Sequence, residues 1–141
     1  MREIKFKAWD KQRMKMGWVE NIVCDYKNES ADDDYGCYST DNLDIIDRPT
    51  GDYREKRYIE LLQYTELKDN HHKEIYDRDI VKTISGIGVV EWSEDSLLWI
   101  VRLSDRCRDW LITYSDNIEI IGNVFENKDL LETEYFSELY K

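Results

Sequence analysis

Both histidines of the chain, His71 and His72, stand side by side in TELKDNHHKEIYDRDIVK, residues 65–82, among Asp69, Glu74, Asp77 and Asp79. Imidazoles and carboxylates bind zinc or relay protons when two or three of them converge on one point at about 2.0–2.2 Å. Adjacent residues on a strand face opposite ways, and the side chains of a two-residue turn also diverge. His71 and His72 therefore cannot ligate one ion without distant help. The stretch reads as the exposed tip of a β-hairpin, with no metal and no cofactor.

Other patterns that suggest chemistry fail on spacing. DDDYG, residues 32–36, resembles the start of a calcium loop, but Gly36 comes one place early and Leu43 stands where the bidentate glutamate belongs. SGIGVV, residues 85–90, has a Gly-x-Gly but no third glycine and no following helix, so it reads as a hairpin turn rather than a phosphate cradle. With only two histidines, both in one turn, a Ser or Cys triad has few ways to form. No catalytic residue is expected.

Charge narrows the partners. The net charge is -11 and uneven. Residues 1–24 carry six basic and three acidic side chains, residues 25–55 three and ten, residues 56–82 six of each, and residues 83–141 five and twelve. Phosphate binding needs clustered Lys and Arg, so nucleic acid is disfavoured, and the one basic run is Arg2, Lys5, Lys7, Lys11, Arg13 and Lys15. Cys24, Cys37 and Cys107 have neither CxxC nor Cys/His spacing, which reads as reduced thiols in a cytoplasm. No apolar stretch reaches the eighteen or so residues of a membrane span, and the charged N-terminus does not read as a signal peptide.

The elements that position these residues follow from period. IKFKAWD, residues 4–10, alternates as a half-buried strand with Lys5 and Lys7 on its outward face. MKMGWVENIVC continues as a second strand with a bulge at Gly17. Residues 25–57 break the pattern and read as a long, acidic, partly mobile excursion. A strand is expected between Tyr58 and Tyr64, followed at short spacing by EIYDRDIVKTI, SGIGVVEW, SLLWIVRL, RDWLITY and IEIIGNVF. Such a rhythm makes an antiparallel barrel or sandwich, with Trp92, Trp99 and Trp110 in its core. Asn127 as N-cap and the spacing of Leu131, Tyr135 and Leu139 predict a short amphipathic helix over residues 128–140. The fold class is mainly β, organised as residues 1–57 (hairpin plus excursion), 58–126 (barrel) and 127–141 (helix).

Three segments together resemble one family. IKFKAWDKQRMKM at residues 4–16, LLQYTELKDNHHKEIYDRDIVK at 61–82 and IEIIGNVFENKDLL at 118–131 are similar, in that order, to the YopX family of phage and prophage proteins. The resemblance implies a phage or prophage gene expressed in a bacterial cytoplasm and an SH3-like barrel in the C-terminal half; it implies no activity. This chain departs from the family where glycine is common: Glu66 replaces the glycine of a Thr-Gly-Leu-Lys-Asp run, His72 that of an Asn-Gly turn, and Arg78 that of a Gly-Asp-Ile-Val run. A glycine at a turn usually marks φ > 0, so strain or a turn shifted onto Asn70 and His71 is expected here.

The function expected from these readings is a non-enzymatic accessory protein acting through protein contacts, as a homo-oligomer or with a host or phage protein. Its candidate contact surface is Lys5, Lys7, Tyr26, Tyr35, Tyr38, Tyr53, His71 and His72, since interfaces enrich tyrosine. The alternatives are nucleic-acid binding through the barrel and the basic strand, and an acidic decoy in which Asp32–Asp34 mimic phosphates.

Overall fold

A computed structural model describes residues 2–11, 14–24, 36–40, 59–104, 106–114, 116–131 and 134–140. Among the described residues there are ten antiparallel strands, and the chain divides into two compact units, residues 5–62 and residues 1–4 with 63–141. The mainly β, antiparallel class expected from the strand rhythm is what the chain adopts.

In the first unit, β1 (Phe6–Asp10), β2 (Lys15–Cys24) and β3 (Gly36–Thr40) form an antiparallel meander in the order β3-β2-β1. Gly17 pairs regularly with Ala8, and the irregularity falls instead between Val19 and Asn21. The acidic excursion thus contains a strand that the sequence reading missed; the rest of residues 25–58 lies outside the described residues. β1 is also less one-sided than its alternation suggests. Trp9, on the face of Lys7, is buried, as are Ala8 and Asp10, because the apolar area of an indole outweighs the period-2 rule at that position.

β4 (Ile59–Lys68) begins in the first unit and, from Gln63, belongs to the second, where it pairs with β5 (Glu74–Tyr76). β6 (Asp79–Thr83), β7 (Gly86–Ser93), β8 (Leu98–Arg102), β9 (Arg108–Trp110) and β10 (Glu119–Asn123) form a curved sheet in the order β10-β6-β7-β8-β9. A 3-10 turn, Leu111–Tyr114, joins β9 to the path back to β10. EIYDRDIVKTI is therefore two strands broken at Asp77 and Arg78, and RDWLITY is a strand only as far as Trp110.

Both faces of this sheet are covered, which is why its strands read as near-continuous apolar runs. Val81, Val90 and Val101 join Ile75, Leu111, Tyr114 and Ile118 on one face; Ile80 and Val89 join Val124, Leu131 and Phe136 on the other. Gly88 is fixed by this packing, since a Cβ there would lie 2.6 Å from Val101 Cγ1 and 2.8 Å from the Arg102 carbonyl oxygen.

The C-terminal segment departs from the helix expected over residues 128–140. A 3-10 turn, Lys128–Leu130, precedes a six-residue helix, α1 (Glu134–Leu139), and Asn127 makes no side-chain cap. Asn127 Oδ1 instead accepts from the Asn123 amide at 3.2 Å. The later start rotates the apolar stripe. Phe136 is buried and stacks with Tyr140 at a centroid distance of 6.3 Å, whereas Leu139 is exposed.

Candidate contact surface

The histidine segment is organised by Asp69. Its carboxylate is buried and accepts three backbone N–H bonds, from His71 (2.9 Å) and Lys73 (2.9 Å) on Oδ1 and from Ile120 (3.1 Å) on Oδ2. Burial alone would raise the carboxyl pKa, but the three donors outweigh it and hold it below the usual value of 3.8. The Asn70 amide donates to the Ile118 carbonyl at 2.8 Å, so the turn is tied to the start of β10. His71 and His72 are both exposed, and His71 Nε2 lies 3.7 Å from Glu119 Oε1. Among the described residues no three His, Cys, Asp or Glu are grouped to hold a metal ion.

The backbone settles the fate of the replaced glycines. Glu66, His72 and Arg78 have φ of 69°, 62° and 65°. All three lie in the left-handed region, and the turn has not shifted onto Asn70 or His71. Each is held by neighbours. Glu66 marks the register break of β4 opposite β5; its carboxylate meets Arg2 Nε at 3.3 Å and accepts from the Glu3 amide at 3.2 Å. The His72 amide donates to the Asp69 carbonyl at 3.0 Å. Arg78 donates its amide to Val90 O at 2.8 Å, accepts from the Val124 amide at 3.1 Å, and lays its guanidinium over the Phe125 ring at 5.9 Å.

Beside that turn, Tyr76 is buried, donates its hydroxyl to Glu74 Oε2 at 2.8 Å and packs on Tyr64 at 5.5 Å between ring centroids. Burial and the Glu74 carboxylate push its pKa well above the ordinary range. The Tyr76 amide donates to Asp79 Oδ2 at 2.8 Å, closing the β5–β6 turn. Asp69, Glu74 and Asp79 are thus each hydrogen-bonded within this pair of turns.

The other charged cluster is structural as well. Arg102 Nε donates to Glu91 Oε2 at 2.6 Å and Arg102 Nη1 to Tyr135 Oη at 3.2 Å, while the Tyr140 hydroxyl donates to Glu91 Oε1. Burial opposes the Arg102 charge, and Glu91 more than restores it. This network pins α1 to β7 and β8.

The basic N-terminal run is largely occupied. Lys11 Nζ lies 3.4 Å from Glu60 Oε2, and Lys7 Nζ sits 4.8 Å over the Trp18 ring. Lys5 and Lys7 are half-buried rather than fully outward. Of the tyrosines expected at a contact surface, Tyr26, Tyr35 and Tyr53 lie outside the described residues, and of Tyr38 only the backbone, in β3, is described.

The exposed aromatics are elsewhere. Trp92 and Trp110, read from sequence as core, are 45% and 56% exposed, and Trp99 is only partly buried against the core. Register brings them near one end of the curved sheet but on both of its faces: Trp92 lies opposite Trp99 on one face, and Ser93 opposite Leu98 and Ile100 opposite Trp110 on the other. The Trp92 and Trp99 rings meet edge to face at 5.4 Å. Leu97, Leu98 and Ile112 at the same end are exposed too, with Leu97 held at φ 54° in the β7–β8 turn. The sequence signal for this surface was position: Trp92 stands two residues before the polar stretch Glu94–Ser96 that turns β7 into β8.

Comparison with known proteins agrees with this architecture. The crystal structure of protein EF1440 from Enterococcus faecalis is similar, with a TM-score of 0.54 and 22% sequence identity over 94% of this chain and 100% of that one, which shows a shared fold. No curated protein matches the chain. No helix among the described residues is long and apolar enough to cross a membrane. The family model described as YopX protein matches residues 5–132, and the chain belongs to that family.

Proposed function

We propose that this protein is a non-catalytic, cytoplasmic phage or prophage accessory protein that acts through protein contacts, self-association among them. The observation that carries this reading is the set of large apolar side chains, Trp92, Leu97, Leu98, Trp110 and Ile112, exposed at one end of one sheet. Apolar side chains concentrated in this way mark interaction surfaces, and interfaces enrich Trp and Tyr. The order β10-β6-β7-β8-β9, with a 3-10 turn between β9 and β10, supports an SH3-like barrel as the platform, and α1 serves as its C-terminal helical cover. Charge argues against nucleic acid, because Arg2, Lys7 and Lys11 are already engaged within the chain. Light scattering over a concentration series tests the self-association. Particles heavier than the 17.0 kDa chain are expected; a monomer at every concentration would overturn that part of the reading.

A further inference from the structure

We infer that the Trp92–Trp99 side of the aromatic end is a docking site for a cationic, arginine-bearing segment of a different protein. The inference rests on the contact reading proposed above and names the chemistry of the partner. Trp92 and Trp99 lie opposite each other on β7 and β8, with their rings edge to face at 5.4 Å. The turn between those strands carries Glu94, Asp95 and Leu97, all exposed, and neither carboxylate is in an ion pair with a described residue. Its shape is set locally: the Ser96 amide donates to Ser93 Oγ at 3.3 Å, and Leu97 holds φ 54°. Two indoles and two carboxylates thus leave the sheet within residues 92–99, a stretch that contains no Lys or Arg.

This combination selects the occupant. An apolar partner that covered the indoles would also dry the carboxylates beside them, which costs free energy unless each gains a counter-charge. A cation is attracted by the face of an indole and, at this turn, by two acids as well. Arginine suits both better than lysine, since its planar guanidinium stacks on an indole, pairs with a carboxylate through two bonds and sheds water more readily. Leu97, exposed in the same turn, extends the surface beyond what a small free cation would cover, which favours a polypeptide segment. A second copy would bring a net charge of -11 to these carboxylates, whereas a basic segment is drawn to them.

The probe is a fluorescein-labelled hexa-arginine peptide, titrated with the full chain at low salt and read by anisotropy. Glu94→Gln with Asp95→Asn in one variant, and Trp92→Ser in another, are each expected to weaken binding about fivefold or more. Asp116→Asn with Asp129→Asn removes as much charge from exposed positions elsewhere, and is expected to change binding by less than about twofold. Hexalysine is expected to bind more weakly than hexa-arginine. Equal losses from the two neutralised pairs would mean attraction to the acidic chain as a whole, and full affinity in Trp92→Ser would mean no indole contact; either result overturns the docking site. Light scattering of the same chain without peptide keeps the two readings apart. A chain that stays monomeric yet binds the peptide in the expected pattern would overturn self-association alone, and a chain that assembles but binds no peptide would overturn the docking site alone.

Discussion

At Glu66, His72 and Arg78 the backbone adopts a conformation that glycine enters freely and that other residues enter at a cost of about 1–2 kcal/mol. His72 is the cleanest case, because its side chain is exposed and its turn contact is made by the backbone. Replacing it with glycine relieves the steric cost but restores freedom to the unfolded chain, so His72→Gly is expected to stabilise by about 0.5–1 kcal/mol in urea unfolding, and His72→Val to destabilise. Asp69 is the other decisive residue of this turn. Asp69→Asn turns one acceptor into a donor facing the Ile120 amide, and a loss of about 1–3 kcal/mol at neutral pH is expected. The folded-state pKa of Asp69 is depressed, so its contribution is complete above the unfolded value of 3.8 and is lost as pH falls through the folded value. The stability gap between wild type and Asp69→Asn should therefore narrow in melts taken progressively below pH 3.8.

Among the elements, the sheet strands were the most legible, because apolar runs of five to ten residues between polar turns have few other readings. SGIGVVEW and RDWLITY could be placed as strands but not oriented, since each carries apolar side chains on both faces and parity then cannot say which face is buried. That ambiguity hid the exposure of Trp92 and Trp110. The helix was misplaced because the spacing of Leu131, Tyr135 and Leu139 fits a helical stripe equally well whether or not the first residues are helical. What fixes α1 is a tertiary network invisible to local pattern, the Glu91, Arg102, Tyr135 and Tyr140 cluster. Glu91→Gln leaves the half-buried Arg102 charge without its ion-pair partner and is expected to cost on the order of 1–3 kcal/mol. Hydrogen exchange should report it as faster exchange over residues 134–140, with β6 to β8 still protected.

For the whole molecule, the acids that first suggest chemistry are bound up in turns, and the candidate contact surface lies at the far end of a different hairpin. The candidate site was thus only partly legible. The sequence named the family and its three glycine positions, but which tryptophans face solvent is decided by which side of the strand the core covers at that point, since Ser93 and Leu111, next to Trp92 and Trp110, are buried. The most direct test of the contact surface is radical footprinting of the tryptophans, read by mass spectrometry in dilute and concentrated protein. Trp18, exposed in the first unit, serves as internal reference. Protection of Trp92 and Trp110 relative to Trp18 on concentration is the predicted result, and assembly that leaves both as reactive as in dilute solution would contradict it.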